Sequence, residues 1–303
     1  MTKALAALAA ALMLAAAIDA TAQADRFAKV EIKTTKLADN VYMLEGEGGN
    51  IGVSAGDDGV LLIDDQFGPL TERILAAIRS ISDKPVRFVV NTHWHYDHTS
   101  GNENFARAGA VIVAHENVRK RLAVVQSIEF FKKPYGPMPP AGLPALTFTD
   151  TMTFQMNGEE ATAFHAPNAH TDGDAIVHLR KANVVHMGDI YFAGIYPFID
   201  YGTGGSVKGM IAAAERGLAL ADDATKIIPG HGPLSNRKEL KDYRDMLATV
   251  SARIEKMMEA GKSLQEIIAA QPTREFDAVW GKGFLKPEQF VEVVYQSLAP
   301  RSK

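Results

Sequence analysis

Short apolar runs separated by glycine and aspartate pairs occupy the first part of the chain. Three of these runs have the length of strands: Val41–Glu45, Asn50–Ser54 and Gly59–Ile63. Apolar residues at helical spacing follow over Leu70–Ile81. The next run, Val86–Asn91, is nearly continuous, which is typical of a strand that is buried on both faces. The pattern therefore predicts a β-meander, a helix and then a buried strand.

A second stretch of alternating pattern begins after residues 132–144, which read KKPYGPMPPAGLP. Five prolines and two glycines in this segment predict a long surface loop without regular structure. Before the loop, the pattern predicts helices at Glu103–Ala108 and Glu116–Gln126 and a strand at Ala110–Ala114. After it, short apolar runs predict strands at Leu146–Thr149, Met152–Met156, Ala161–His165, Ala175–Arg180, Val184–His186 and Lys226–Ile228.

Two long helices are predicted among and after these strands. Ser206 is a suitable N-cap for a helix over Val207–Leu220, and apolar residues recur every three or four positions along Lys238–Glu259. Two mixed sheets packed together, with helices outside each sheet, would bury every apolar face. We therefore predict one domain with two related halves over residues 25–303.

The first 24 residues differ in character from the rest of the chain. Lys3 precedes the apolar run Ala4–Ile18, and Ala22-Gln23-Ala24 has the small residues of a signal cleavage site. The run is shorter than the roughly 20 residues of a membrane span. We interpret residues 1–24 as a signal peptide and expect an exported protein, periplasmic or secreted, that has no membrane association after cleavage. The alternative is an uncleaved anchor.

Composition narrows the possible partners and ligands. The net charge is −4 and no lysine- or arginine-rich run is present, so we expect a small-molecule substrate and no nucleic acid. The chain has no cysteine, so a metal ion would be held by nitrogen and oxygen atoms alone. Composition gives no prediction of the oligomeric state.

A cluster of histidines and one aspartate follows the apolar run that ends at Asn91. The segment reads NTHWHYDHTSGN and contains His93, His95, Asp97 and His98. Because buried histidine and aspartate side chains need polar partners, four of them after a buried strand indicate a metal site at the strand end.

Four other apolar runs also end at histidine or aspartate residues. These are the segments that contain Asp64, His170, Asp189 and His231. Loops at strand ends commonly carry binding residues on a rigid scaffold. The candidate donors then number seven: His93, His95, Asp97, His98, His170, Asp189 and His231. This set is too large for one tetrahedral ion and suits two ions about 3.5–4 Å apart.

The motif His93-x-His95-x-Asp97-His98, with the later donors in this order, resembles the metallo-β-lactamase superfamily over about residues 41–232. The resemblance implies an αββα sandwich with two zinc ions per chain at one edge. Carried over by position, one metal would be held by His93, His95 and His170. The second would be held by Asp97, His98 and His231. Asp189 would bridge the two ions, and Asp64 would orient the histidine loop.

The resemblance implies a zinc-dependent hydrolase in which a metal-bridging hydroxide, oriented by Asp97, cleaves an amide or ester carbonyl. Asp189 stands where β-lactamases with a cysteine ligand carry that cysteine, and no lysine follows it. This departure weakens the prediction of β-lactamase activity and favours relatives such as lactonases. We expect a compact cyclic substrate, a β-lactam or a lactone. The alternatives are a thioesterase, a phosphodiesterase, an iron-dependent sulfur dioxygenase or a non-catalytic periplasmic metal-binding protein.

Two segments are predicted to form the substrate wall, Lys132–Pro144 and the aromatic stretch Tyr191–Tyr201. Tyr191 follows Asp189 closely, so we expect its hydroxyl to donate a hydrogen bond to the substrate. The remaining histidines are interpreted as structural: His115, His165, His178 and His186.

Overall fold

The computed structural model describes residues 26–299. The signal-peptide prediction for residues 1–24 lies outside them. Among the described residues, the first sheet has seven strands in the order β1-β2-β3-β4-β5-β6-β9. Their bounds are β1 Lys33–Lys36, β2 Val41–Glu45, β3 Ile51–Gly56, β4 Gly59–Ile63, β5 Val86–Asn91, β6 Val111–His115 and β9 Leu146–Phe148.

The second sheet has six strands in the order β10-β11-β12-β13-β14-β15, counted over residues 26–299. Their bounds are β10 Thr151–Met156, β11 Glu159–Ala166, β12 Asp174–Leu179, β13 Val184–His186, β14 Lys226–Ile228 and β15 Ser235–Asn236. A separate antiparallel hairpin is formed by β7 Gln126–Ile128 and β8 Lys133–Tyr135.

The helices cover the outer faces of the two sheets. Their bounds are α1 Thr71–Arg79, α2 Tyr96–Thr99, α3 Asn102–Arg107, α4 Glu116–Leu122, α5 Val207–Leu220, α6 Arg237–Glu259, α7 Leu264–Ala269, α8 Asp277–Trp280 and α9 Pro287–Leu298. Single turns of 3-10 helix lie at Gly68–Leu70, Pro140–Gly142, Gly188–Ile190 and Tyr201–Thr203. No helix in this part of the chain combines the length and apolar character that a membrane span requires.

Alternation along the strands places one set of side chains between the sheets. Met43 and Ile63 of the first sheet pack in one cluster with Val177 of the second sheet. The intervening residues of the first sheet, such as Leu62, pack outward against Ile74 of α1. Each fully buried aliphatic side chain of this kind contributes about 1.5–3 kcal/mol through burial.

A third cluster fills the space between the second sheet and the helices on its outer face. Val185 of β13 and Ile227 of β14 belong to it, together with Met210 of α5, Leu247 of α6 and Phe290 of α9. The layers are therefore helix, sheet, sheet and helix, which confirms the αββα sandwich predicted from the resemblance.

Some boundaries differ from the predictions. Lys133–Tyr135, predicted to be irregular, is strand β8 because it pairs with Gln126–Ile128. The helix predicted to reach Gln126 ends at Leu122 for the same reason. Helices α8 and α9 were not predicted from the sequence. Ser263 and Glu266 form a capping box at the start of α7.

Candidate metal centre

The predicted donors lie where strands of the two sheets end at a common edge. His93 and His95 follow β5, and His170 follows β11 after a short turn. Asp189 lies in the 3-10 turn after β13, and His231 follows β14. Because β13 and β14 run parallel and are paired, Asp189 and His231 emerge from the sheet at the same end.

Seven side chains form two donor groups at this edge. His93, His95, His170 and Asp189 offer donor atoms that all lie within 4.8 Å of one another, and so do Asp97, His98 and His231. The first group is buried, whereas Asp97 and His231 of the second group are partly exposed, with about a quarter of each side chain accessible. These are the residues that the sequence predicted as metal ligands, and the fold brings all of them together.

The carboxylate of Asp189 lies between the two groups. Its Oδ2 atom is 3.7 Å from Nε2 of His93 and 3.5 Å from Nε2 of His170. Its Oδ1 atom is 3.0 Å from Nε2 of His98 and 3.5 Å from Nε2 of His231. One oxygen thus faces each group, which is the arrangement that a bridging carboxylate requires.

The donor chemistry fits a pair of metal ions. The buried Nε2 atom of His93 has no hydrogen-bond partner among residues 26–299, although an unpaired buried polar atom is costly. Nitrogen and carboxylate oxygen atoms are suitable ligands for zinc. The backbone leaves room for them, because a Cβ atom at Gly230 would lie 2.0 Å from Oδ1 of Asp189.

Burial and charge set the protonation of the donors before an ion binds. Burial lowers the pKa of His93 well below its usual value and lowers the pKa of His170 to about 4, so both rings are neutral at pH 7. Burial acts in the same direction on His231, but Asp189 and Asp97 outweigh it and raise its pKa to about 9. The pKa of His98 is raised for the same reason. The carboxylates therefore hold protons on the second group that a metal ion would displace.

Asp64 contacts His98 of the second donor group on the side of the ring away from Asp189. Its Oδ2 atom is 2.8 Å from Nδ1 of His98 and accepts a hydrogen bond from the Thr92 hydroxyl at 2.7 Å. Its Oδ1 atom accepts a hydrogen bond from the Thr92 backbone N–H at 2.7 Å. Asp64 thus occupies the place that its predicted orienting role requires.

Asp200, which was not predicted from the sequence, contacts His95 of the first donor group. Its Oδ2 atom is 3.1 Å from Nε2 of His95 and accepts a hydrogen bond from the Thr203 hydroxyl at 2.6 Å. His95 presents its other ring nitrogen, Nδ1, to His170 at 2.9 Å. The signal available in the sequence was a single aspartate at the end of the aromatic segment, in the run Tyr196-Pro-Phe-Ile-Asp200.

The Tyr191 side chain is directed away from the metal donors. Its hydroxyl lies 2.7 Å from Oγ of Ser235, and its ring packs against Tyr243 with centroids 4.9 Å apart. The residues that line the cavity at the donor groups do not include Tyr191. Because of this placement, the predicted hydrogen bond from Tyr191 to the substrate has no structural basis.

The histidines interpreted as structural lie outside the donor groups. The rings of His115 and His165 stack with centroids 3.7 Å apart, and Nδ1 of His115 accepts a hydrogen bond from Asn117 at the start of α4. Nε2 of His186 lies 3.1 Å from the carbonyl oxygen of Asn50. Burial lowers the pKa of His178, which lies in β12.

A cavity of about 350 Å³ opens over the donor groups. Both segments predicted to form the substrate wall contribute to it. The residues that line the cavity are Arg26, Phe67, Trp94, His95, Tyr96, Asp97, Ile128, Phe131, Lys133, Tyr135, Asp189, Phe192, Ile195, Phe198, His231 and Phe284. Most of these residues are aromatic or aliphatic, and His95, Asp97, Asp189 and His231 line the cavity at the donor groups.

Comparison with known proteins agrees with this architecture. The linear primary-alkylsulfatase of Pseudomonas sp. (strain ATCC 19151) is 23% identical over 251 residues, which are 70% of this chain and 47% of that protein. The chain thus spans about half the length of this curated relative.

Solved structures show the same fold. A metallo-beta-lactamase from Pontibacter korlensis matches with a TM-score of 0.59 and 22% identity, over 72% of this chain and 99% of that chain. The stereoselective inverting sec-alkylsulfatase Pisa1 from Pseudomonas sp. matches with a TM-score of 0.66 and 19% identity, over 88% of this chain and 50% of that chain. At these identities the structural matches are evidence for the fold alone.

The family model of the metallo-beta-lactamase superfamily matches residues 40–231, which include all seven donors and Asp64. This range is more than half of the chain. The protein therefore belongs to the metallo-beta-lactamase superfamily.

Proposed function

We propose that the protein is a hydrolase that uses two zinc ions to cleave the carbonyl bond of an amide or ester in a compact cyclic substrate, such as a β-lactam or a lactone. The observation that carries the proposal is the position of Asp189, whose two oxygens face two complete donor groups below an apolar cavity. A protein that only stores metal does not need a shared carboxylate beneath an open cavity.

His93, His95 and His170 would hold one ion and Asp97, His98 and His231 the other, with Asp189 between them. Two bound zinc ions would lower the pKa of a water molecule towards neutrality and polarise the substrate carbonyl. Because the donor set supplies this chemistry, the mechanism needs no serine or cysteine nucleophile.

Asp97 is suited to orient the attacking water. Its carboxylate lines the cavity, and Oδ2 lies 3.2 Å from Nε2 of His231. Burial alone would raise the pKa of Asp97, but His98 and His231 outweigh burial and hold it below its usual range. The carboxylate therefore stays ionised at neutral pH and could accept a hydrogen bond from a water molecule in the cavity.

The cavity walls favour a substrate with an apolar substituent. Phe192, Ile195 and Phe198 line the cavity, together with Ile128 and Tyr135 of the β7–β8 hairpin. Aromatic side chains bury a large apolar area and exclude water from the bond to be cleaved. A cavity of about 350 Å³ is near the lower end of the range for small-molecule sites, which favours a compact substrate.

Hydrolysis of an alkyl sulfate ester is a second candidate. It is favoured by the sequence similarity to the primary-alkylsulfatase over 70% of the chain. The apolar cavity suits an alkyl chain as well as it suits the substituent of a cyclic substrate.

One screen separates these functions. The purified protein is loaded with zinc, its metal content is measured by mass spectrometry, and it is assayed with a cephalosporin, an acyl homoserine lactone, a thioester, a phosphodiester and dodecyl sulfate. Asp97→Asn, loaded in the same way, controls for contaminating hydrolases. Hydrolysis of the lactam or lactone supports the proposal, whereas turnover of dodecyl sulfate alone supports the second candidate. Failure with every substrate at two zinc ions per chain contradicts both.

The same purified protein, loaded with iron in place of zinc, tests the alternative of a sulfur dioxygenase. A sulfur dioxygenase requires iron and consumes oxygen with a persulfide substrate. Oxygen uptake by the iron form, together with no hydrolysis by the zinc form, would overturn the proposed function.

A further inference from the structure

The charged side chains around the cavity are unequally distributed. Among the described residues that line it, the carboxylates are Asp97 and Asp189, and both belong to the donor groups. The cations are Arg26 and Lys133, which lie in different segments and outside the donor groups. Away from the metal centre, the cavity thus presents positive charge and no negative charge.

The two cations differ in how far their charge is already compensated. Arg26 forms an ion pair with Glu47 at 2.5 Å and lies over the rings of Phe27 and Phe67, at 4.9 and 4.8 Å from their centroids. Lys133, in contrast, has neither an ion-pair nor a side-chain hydrogen-bond partner within the region that the structure describes. Its Nζ atom lies 5.2 Å from the ring centroid of Tyr135. Lys133 is therefore the cation available to a ligand.

The hairpin that carries Lys133 is packed against the metal-ligand loop. The rings of Tyr135 and Tyr96 stack with centroids 4.9 Å apart and planes at 20°, and the Tyr96 hydroxyl donates a hydrogen bond to the Gly136 carbonyl. Tyr96 lies between the donors His95 and Asp97 in the sequence. The stack of Lys133 on Tyr135 on Tyr96 thus holds the ammonium group beside the donor loop.

The rim of the cavity also carries exposed aromatic surface. Phe131 is 45% exposed and Phe284 is 52% exposed, although both line the cavity. The Phe131 ring packs against Phe198, with centroids 5.0 Å apart. An apolar surface therefore runs from the interior of the cavity to its mouth, close to the free ammonium group.

We propose that the substrate is an anionic amphipathic molecule, whose carboxylate or sulfonate group is bound by Lys133 and whose apolar part lies against Phe131 and Phe198. The inference rests on the proposed function only for the bond that is cleaved. Recognition of the charge is a property of the β7–β8 hairpin and can be measured without turnover. Lys133 thus serves as a specificity-determining residue that favours anionic over neutral ligands of equal size.

A matched pair of dyes tests this proposal by binding. Anilinonaphthalene sulfonate carries a sulfonate, and N-phenyl-1-naphthylamine has the same aromatic body without it. Both are titrated by fluorescence into the zinc-loaded protein and into Lys133→Ala, Lys133→Arg and Lys132→Asn. Lys132 is the neighbouring lysine, does not line the cavity and has a positive φ of 50° that asparagine tolerates, so it is a matched control for loss of charge.

We expect Lys133→Ala to weaken sulfonate binding about tenfold, which corresponds to about 1.4 kcal/mol, and to leave binding of the neutral dye unchanged. Lys133→Arg should retain sulfonate binding, and Lys132→Asn should behave as the wild type. Equal weakening of both dyes in Lys133→Ala, or no weakening of either, would overturn the inference.

A substrate pair extends the test to catalysis. The mono-4-nitrophenyl ester of glutaric acid carries a carboxylate, and 4-nitrophenyl pentanoate is neutral and has the same chain length. If the wild type hydrolyses these esters, Lys133→Ala should raise KM for the anionic ester about tenfold and leave kcat and the neutral ester unaffected. An equal change in KM for both esters contradicts the inference. If neither ester nor any substrate of the screen is hydrolysed, the proposed function fails, and the dye pair still decides the role of Lys133.

Discussion

The Nδ1 atom of His98 lies 2.8 Å from Oδ2 of Asp64, and both side chains are fully buried. The opposite ring nitrogen of His98, Nε2, faces Asp189 at 3.0 Å. Because a hydrogen bond at Nδ1 fixes the tautomer and the ring orientation, Asp64 directs the Nε2 lone pair of His98 towards the second metal position.

We therefore predict that Asp64→Asn weakens binding of the second zinc ion about 10–100-fold and affects the first ion much less. Asparagine has nearly the same shape as aspartate and tolerates the positive φ of 64° at this position, so the backbone is not strained. Competition with a chelator of known affinity measures both sites. Asp57→Asn, at an exposed aspartate in the turn between β3 and β4, is the control. Unchanged affinity of the second site in Asp64→Asn would show that the contact is only structural.

The contact between Asp200 and His95 predicts that loss of the Asp200 charge weakens the first zinc ion more than the second. Asp200 is buried and lies 3.1 Å from Nε2 of His95, which belongs to the first donor group. Asp200→Asn should weaken the first zinc ion about 10–100-fold, because the amide no longer provides the negative charge that orients the ring. The same competition with a chelator measures the zinc affinity of both sites in Asp200→Asn. The prediction fails if Asp200→Asn and Asp64→Asn lower the affinity of the same site.

Asp189→Ala should reduce the zinc content from two ions per chain to about one. The first donor group keeps three histidines without this carboxylate, whereas the second keeps Asp97, His98 and His231 and loses the oxygen nearest to Nε2 of His98. Mass spectrometry after equilibrium dialysis measures the stoichiometry, with Asp223→Ala, at an exposed aspartate in the turn before β14, as the control. Two zinc ions bound with unchanged affinity would contradict the bridging role.

The sequence predicted the layers and the donors because both depend on local patterns. Alternation in the runs around Met43 and Ile63 specifies which face of each strand is buried, and buried strands that end in histidine or aspartate indicate the donors. That these residues meet at one edge was implied by the resemblance to the metallo-β-lactamase superfamily, carried by the order of the motifs along the chain.

Other features depend on contacts between distant residues and could not be predicted in this way. Asp200 contacts a histidine 105 positions earlier in the chain, so its role appears only in the folded protein. Tyr191 was predicted to face the substrate because it follows Asp189, but its hydroxyl contacts Ser235, which lies 44 positions later. Strand β8 was missed because only three residues pair, within a segment rich in proline.

The raised pKa of His231 predicts how the stability of the metal-free protein varies with pH. Asp189 and Asp97 outweigh burial and raise this pKa from its ordinary value of 6.5 to about 9, so the folded state binds the proton more tightly than the unfolded state does. The resulting stabilisation is fully present below pH 6.5 and is lost as the pH rises through about 9. The Tm of the metal-free protein should therefore fall between pH 6.5 and 9, and the fall should be smaller in His231→Asn.

The zinc affinity of the second site should vary with pH in the opposite direction to this Tm. A metal ligand must be deprotonated, so the ion displaces the proton held on His231, and the affinity of the second site should rise over the same pH window. Calorimetric titration with zinc at pH 7, in two buffers of different ionisation enthalpy, measures the number of protons released. Scanning calorimetry at pH 6–9.5 measures the Tm of the metal-free and zinc-loaded forms. We expect at least about one proton released per second-site ion at pH 7, since His231 is protonated there. A Tm of the metal-free protein that is constant or rising from pH 6.5 to 9, or zinc binding without proton release, would show that the carboxylates of this site do not hold His231 in its charged form.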